Sequence, residues 1–208
     1  MSRSDLEQVL MRRIVGGLVG WATFYQASGT GRHYSEYLFY QHIEWMAVGR
    51  GWRVRQQHKI IGQRSVGAPS TVDFVIYRRP GSRASREGLL FVEVKYLRGD
   101  NPSQDLGYLW DDVEKLRSLV PTGLVDHATF AKCGPPAKFL LVVGQVGDLK
   151  KILSCNPQKL EKVKALKMLN MAMQDKPPDS IYWAQSGTYF SDELQWRAMA
   201  ISSRKWPT

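Results

Sequence analysis

Cysteine is almost missing from this chain. Cys133 and Cys155 are the only two, without CxxC spacing, so neither a zinc site nor a disulfide framework is expected. Long apolar runs are missing as well: the longest, Ile14 to Phe24, is short and glycine-rich, which excludes a membrane span and leaves no membrane partner to expect. Asp5 and Glu7 stand where a secretory signal carries positive charge, and together with the two lone thiols they point to a reducing cytoplasm. No glycine-rich phosphate loop ending in Lys-Ser/Thr occurs, and no nucleophile motif supports a Ser or Cys triad, so ATP hydrolysis and triad catalysis are not expected. His33, His42, His58 and His127 show no metal-ligand spacing.

Acidic residues are scarce. Among 208 residues there are 29 Lys and Arg against 19 Asp and Glu, a net charge of +10. The excess is local: between Arg50 and Arg86 nine basic residues face one acid, Asp73. Such a field attracts a polyanion, nucleic acid before any other. Arg53, Arg55, Lys59, Arg64, Arg78 and Arg79 are the candidate phosphate-backbone contacts. The apolar content of 43% and charged content of 23% are those of an ordinary globular domain with a full core.

What is present, read in order, is an alternation of helices and strands. Ser4-Asp5-Leu6-Glu7 is a capping box opening a helix to about Gly16, with Gly16, Gly17 and Gly20 loosening the chain behind it. Residues 1–31 are read as an N-terminal helical extension, and 32–208 as the main domain. A second helix is expected from about Tyr34 to Val48, with Tyr37, Tyr40, Ile43 (or Glu44) and Ala47 inward. Trp52 to Ile60 alternates like an outer strand. Two apolar strands follow, Ser70–Tyr77 and Gly88–Tyr96, joined by an arginine-rich hairpin with Pro80-Gly81 at its turn. Asn101-Pro102-Ser103 opens a helix to about Val120 with Leu109, Val113, Leu116 and Val120 on one face. Lys138–Gly144 is apolar on both faces, as a covered central strand is. Asn156-Pro157 starts a helix to about Met173 with Leu160, Val163, Leu166 and Leu169 inward, and closing strands are expected at Ile181–Ala184, Tyr189-Phe190 and Trp196–Ile201. The order predicts an α/β fold, a mixed central sheet with helices on both faces.

Charge interrupts two of the apolar strands. Glu93 and Lys95 lie two residues apart, hence on one face, with Val92 and Val94 on the other. Asp73 is a single carboxylate inside Thr71–Tyr77. Charges in central strands are costly unless they are paired or hold an ion. The preceding helix carries Glu36 in its first turn, where a role in stabilising the helix dipole is the plainer alternative, and Glu44 two turns later. Asp112 and Lys115 flank the buried stripe of the next helix; they are expected to pair with each other, with reach to the edge of the charged site as the alternative. Trp52 is expected to pack rather than to stack on bases.

A helix glutamate, Asp73 on the second strand and Glu93-Val94-Lys95 on the third resemble the PD-(D/E)XK nuclease superfamily, with its restriction-endonuclease-like αβββαβ core. The resemblance covers about 34–143, with a C-terminal helix and strands at 148–203 outside it. Asp148-Leu149-Lys150 also matches acid-x-Lys, but it follows a strand end and opens a helix. Val72 stands where the family usually has proline before the aspartate. The resemblance implies a metal-dependent nuclease, with DNA favoured over RNA. Glu36, Asp73, Glu93 and Lys95 would be catalytic, with Glu44 in reserve for Glu36. Asp73, Glu93, the Val94 carbonyl and Glu36 would hold Mg²⁺, for which Mn²⁺ substitutes. A homodimer or larger complex is compatible with it. The alternatives are an inactive nucleic-acid-binding module of the same fold and a protein-interaction subunit.

Overall fold

The computed structural model describes residues 3–29, 35–65, 68–78, 88–119, 135–187 and 191–207, with side chains 3–5, 58–70 and 192 outside that description. The elements are α1 (Arg3–Ala27), α2 (Glu36–Val48), β1 (Arg53–Ser65), β2 (Ala68–Arg78), β3 (Gly88–Leu97) and α3 (Pro102–Ser118), then β4 (Ala137–Gln145), α4 (Val146–Leu153), α5 (Leu160–Ala172), β5 (Ile181–Gln185) and β6 (Trp196–Ser202). One six-stranded sheet runs β1-β2-β3-β4-β6-β5. Among the described residues only β3 and β4 pair in parallel; every other neighbour is antiparallel. This is a mixed α/β sheet with β1 at one edge and β4 covered on both faces, as its apolar sequence requires.

The pleat of β3 sorts the interior into two cores. Leu89, Phe91 and Leu97 pack under α3, α4 and α5, whereas Leu90, Val92 and Val94 pack against α1 and α2. Glu93 and Lys95 therefore point toward α3. Among the described residues no helix is long and apolar enough to cross a membrane.

The structure corrects several expectations. α1 does not stop near Gly16 but continues to Ala27 through all three glycines. Its Leu10, Met11, Ile14, Val15, Leu18, Val19 and Ala22 are buried. Their burial, at roughly 1.5–3 kcal/mol for each large side chain, outweighs about 1 kcal/mol for each helical glycine. Gly17 also admits α2: a Cβ there would lie 2.1 Å from Met46 Sδ. In α2 the buried stripe is Phe39, Tyr40, Ile43 and Ala47, while Tyr37 in the first turn is 67% exposed. α5 begins three residues after Pro157, at Leu160, and buries Ala165, Met168, Leu169 and Ala172. Its two alanines sit on the buried face, which turns Leu160 outward to 66% exposure. α3 is capped by the Asn101 side chain accepting from Gln104 N–H, with Pro102 in the first turn. Asp148-Leu149-Lys150 lies in α4, where Asp148 pairs with Lys151 at 2.9 Å. The Pro80-Gly81 turn, Val120 and the Tyr189-Phe190 pair lie outside the described residues.

Candidate functional site

Strand β2 is irregular at Asp73 on both of its edges. The ladder to β3 ends at Phe74↔Val92, and the ladder to β1 passes from Gln56↔Phe74 to His58↔Val72, leaving Asp73 and Gln57 unmatched. Gln57 adopts φ 44°, a left-handed conformation costing about 1–2 kcal/mol in a non-glycine residue. Where the strands part, Asp73 Oδ2 accepts the Val94 N–H at 2.8 Å, so a side chain replaces the missing ladder bond. Tyr40, from α2, also hydrogen-bonds Asp73; burial first, then the Asp73 charge, holds its phenol protonated well above the usual range.

Glu93 is 1% exposed. Its Oε2 meets Lys115 Nζ at 2.7 Å, while its Oε1 is buried with no hydrogen-bond partner. Burial, then the neighbouring Asp73 charge, raises the Glu93 pKa well above the ordinary carboxylate value despite Lys115. Lys95 Nζ lies 3.2 Å from Glu36 Oε1 and 3.1 Å from Asp112 Oδ2. Burial alone would lower its pKa, but Asp112 and Glu36 more than offset that and keep it an ammonium. Glu36 Oε1 also accepts the Tyr96 N–H at 3.2 Å, which ties the first turn of α2 to β3.

The two helix acids lie in different places. Glu36 reaches Lys95, whereas Glu44 accepts from Gln56 Nε2 at 2.5 Å on the β1 side. The geometry also revises the role of Asp112 and Lys115. Their mutual pair exists, at 3.7 Å, but each makes a shorter bond to β3. The reason is steric: α3 lies over the Glu93–Lys95 face with Val113 and Leu116 buried, and residues beside that stripe are carried down onto the sheet. Their i, i+3 spacing beside an apolar stripe was visible in sequence; their partner was not.

Arg53 and Arg55 are exposed on β1 and pair with Tyr77 and Val75, so they share the sheet face of Glu93. The Arg55 guanidinium lies 5.7 Å from the centre of the Tyr77 ring. Arg78 pairs with Gly88 and falls on the face opposite Glu93. The side chains of Lys59 and Arg64, and all of Arg79, lie outside the described residues. Trp52 is buried, close enough to Gly88 that a Cβ there would meet its ring at 2.7 Å, which removes it from any contact with bases. His42 bonds the Leu38 carbonyl and packs on Trp21, a structural role.

Among the described residues no group of three His, Cys, Asp or Glu side chains is gathered into a metal cage. Lysines separate the acids: Glu36 is held by Lys95 and Glu93 by Lys115. What remains together is Asp73 and Glu93 on adjoining strands, with the unsatisfied Glu93 oxygen. One or two carboxylates suit Mg²⁺, which keeps most of its waters, better than a cation needing a full protein cage.

Comparison of the chain with protein-family profiles, curated proteins and solved structures gave no match.

Proposed function

We propose that this chain is a metal-dependent nuclease of the PD-(D/E)XK type, hydrolysing phosphodiester bonds and acting on DNA in preference to RNA. The observation that carries the proposal is Glu93, a buried carboxylate with an unpartnered oxygen, beside Asp73 and two residues before Lys95. The succession α2-β1-β2-β3-α3-β4, with β3 and β4 parallel, supports a restriction-endonuclease-like core. Asp73, Glu93 and the Val94 carbonyl would hold Mg²⁺ or Mn²⁺, with Glu36 at the margin. When bound, the cation lowers the pKa of a coordinated water and neutralises phosphate charge.

The chain's own groups do the rest. Lys95 stays protonated, so it stabilises negative charge developing on the phosphate instead of accepting a proton. Glu36 and Asp112 hold that ammonium in place from two helices. Lys115 balances Glu93, and Tyr40 and the Val94 N–H fix the Asp73 carboxylate. Arg53 and Arg55 stand on the same face to bind the flanking backbone.

A second reading, an inactive nucleic-acid-binding module, draws on the lysine-separated acids. The two differ in one assay: cleavage of supercoiled plasmid and of a labelled single strand with Mg²⁺, Mn²⁺ or EDTA. The nuclease cuts with metal, and Asp73→Ala or Lys95→Ala abolishes cutting. Wild-type cleavage by both variants would defeat the proposal; binding without cutting would establish the module.

A further inference from the structure

Lys95 and Glu36 also form one wall of a cleft of about 530 Å³ between the start of α2 and the start of α3. That volume lies within the roughly 300–1,000 Å³ of pockets that bury small ligands. Two exposed phenols line it, Tyr37 from α2 and Tyr108 from α3, at 67% and 49% exposure. Tyr37 leans on the Tyr40 ring, with centres 5.3 Å apart, and keeps most of its surface open. Tyr108 is also joined to the site just described: its ring centre is 5.7 Å from Lys95 Nζ, and its hydroxyl accepts from Gln104 Nε2. Gln104 in turn accepts from Asn101 Nδ2 at 3.2 Å, so two side-chain amides edge the cleft in a fixed orientation.

Charge in the cleft is divided. Lys95, paired with Glu36, and Arg98 supply positive charge from β3 and the residue after it, whereas Asp100 and Asp105 line the α3 end, which leaves the cleft with three acids against two bases. A second phosphate is repelled from that end. A neutral ring bearing an exocyclic amino group is not, because carboxylates and amide oxygens accept from it. We infer that the cleft receives one unstacked, amino-bearing nucleobase, and hence that the preferred ligand is single-stranded nucleic acid rather than intact duplex. The base lies against Tyr108 and Tyr37, its edge meets Gln104, Asn101 and the two aspartates, and its phosphate points to Lys95. Aromatic stacking of this kind needs a base already out of the helix. The inference rests on the proposed nuclease reading and narrows its substrate.

Binding separates the two. Affinity for short labelled oligo(dA), oligo(dC), oligo(dT) and a duplex is measured in EDTA, so that nothing is cut. The proteins are wild type, Tyr37→Ala, Tyr108→Ala and Tyr108→Phe, with thermal melting as the folding control. Single strands of dA and dC bind more tightly than dT and than duplex. Each Tyr→Ala weakens dA binding roughly fivefold to a hundredfold, with the Phe variant near wild type. Equal affinity for duplex and single strand, unmoved by either Tyr→Ala change, overturns the inference. If metal-dependent cutting that requires Lys95 persists in that case, the nuclease reading survives alone. If the tyrosine effects appear but no metal produces cutting, the base pocket stands and the nuclease reading falls.

Discussion

Replacing Glu93 by Gln should stabilise the protein at neutral pH. The carboxylate is 1% exposed, one of its oxygens has no partner, and its pKa is raised by burial and by Asp73. A carboxyl whose pKa is higher folded than unfolded adds stability below its unfolded pKa, and loses it as pH rises through the folded pKa. With an unfolded value of about 4.3 and about 1.36 kcal/mol per unit, the loss by pH 7 cannot exceed about 4 kcal/mol. Gln removes the charge at nearly constant volume. Lys115 is not stranded, since it is 27% exposed and keeps Asp112 at 3.7 Å. The expected gain is about 1–3 kcal/mol, or about 2–10 °C in Tm for a domain of this length. Thermal melts from pH 4 to pH 8 check it: the gain should shrink toward zero at the acid end. Mg²⁺ should raise the Tm of the wild type and not that of the variant. A variant less stable than wild type at pH 7, or a gain undiminished at pH 4, would refute the reasoning.

Other perturbations bear on separate parts of the structure. Glu36→Gln loosens Lys95 and should slow cleavage by roughly tenfold to a hundredfold, while Glu44→Gln leaves the rate unchanged; single-turnover kinetics distinguish them. Arg53→Ala with Arg55→Ala should weaken duplex binding alike for all sequences and reduce the slope of log affinity against log salt by about 2, seen in a salt titration. Gly144→Ala places a Cβ 2.9 Å from the Leu97 carbonyl and 3.2 Å from Leu149, across the parallel β3–β4 pair. A loss of about 1–3 kcal/mol, read as a lower Tm, is expected there.

Much of this arrangement was legible in the residues because it follows from local pattern. The charged interruptions at Asp73, Glu93 and Lys95 fall inside β2 and β3, and the apolar Lys138–Gly144 run marks a strand covered on both faces. Glycine misled where tertiary burial overrode propensity, as in α1. In α5 the start signal at Asn156-Pro157 was displaced to Leu160, and the inward face turned with it. The partners of Asp112 and Lys115 could not be read, because an i, i+3 spacing specifies the intrahelical pair equally well. Only the sheet beneath α3 decides the matter. The in-plane carboxylate of Asp73 was likewise hidden, since it depends on where two ladders end and not on strand alternation.

Direct titration with Mn²⁺, followed by electron paramagnetic resonance, tests the proposed cation site in the acids themselves. Wild-type protein should bind Mn²⁺ in competition with Mg²⁺, and Glu93→Gln and Asp73→Asn should each lose that binding while remaining folded. Equal Mn²⁺ binding by all three proteins, or none by the wild type even with nucleic acid present, would contradict the account.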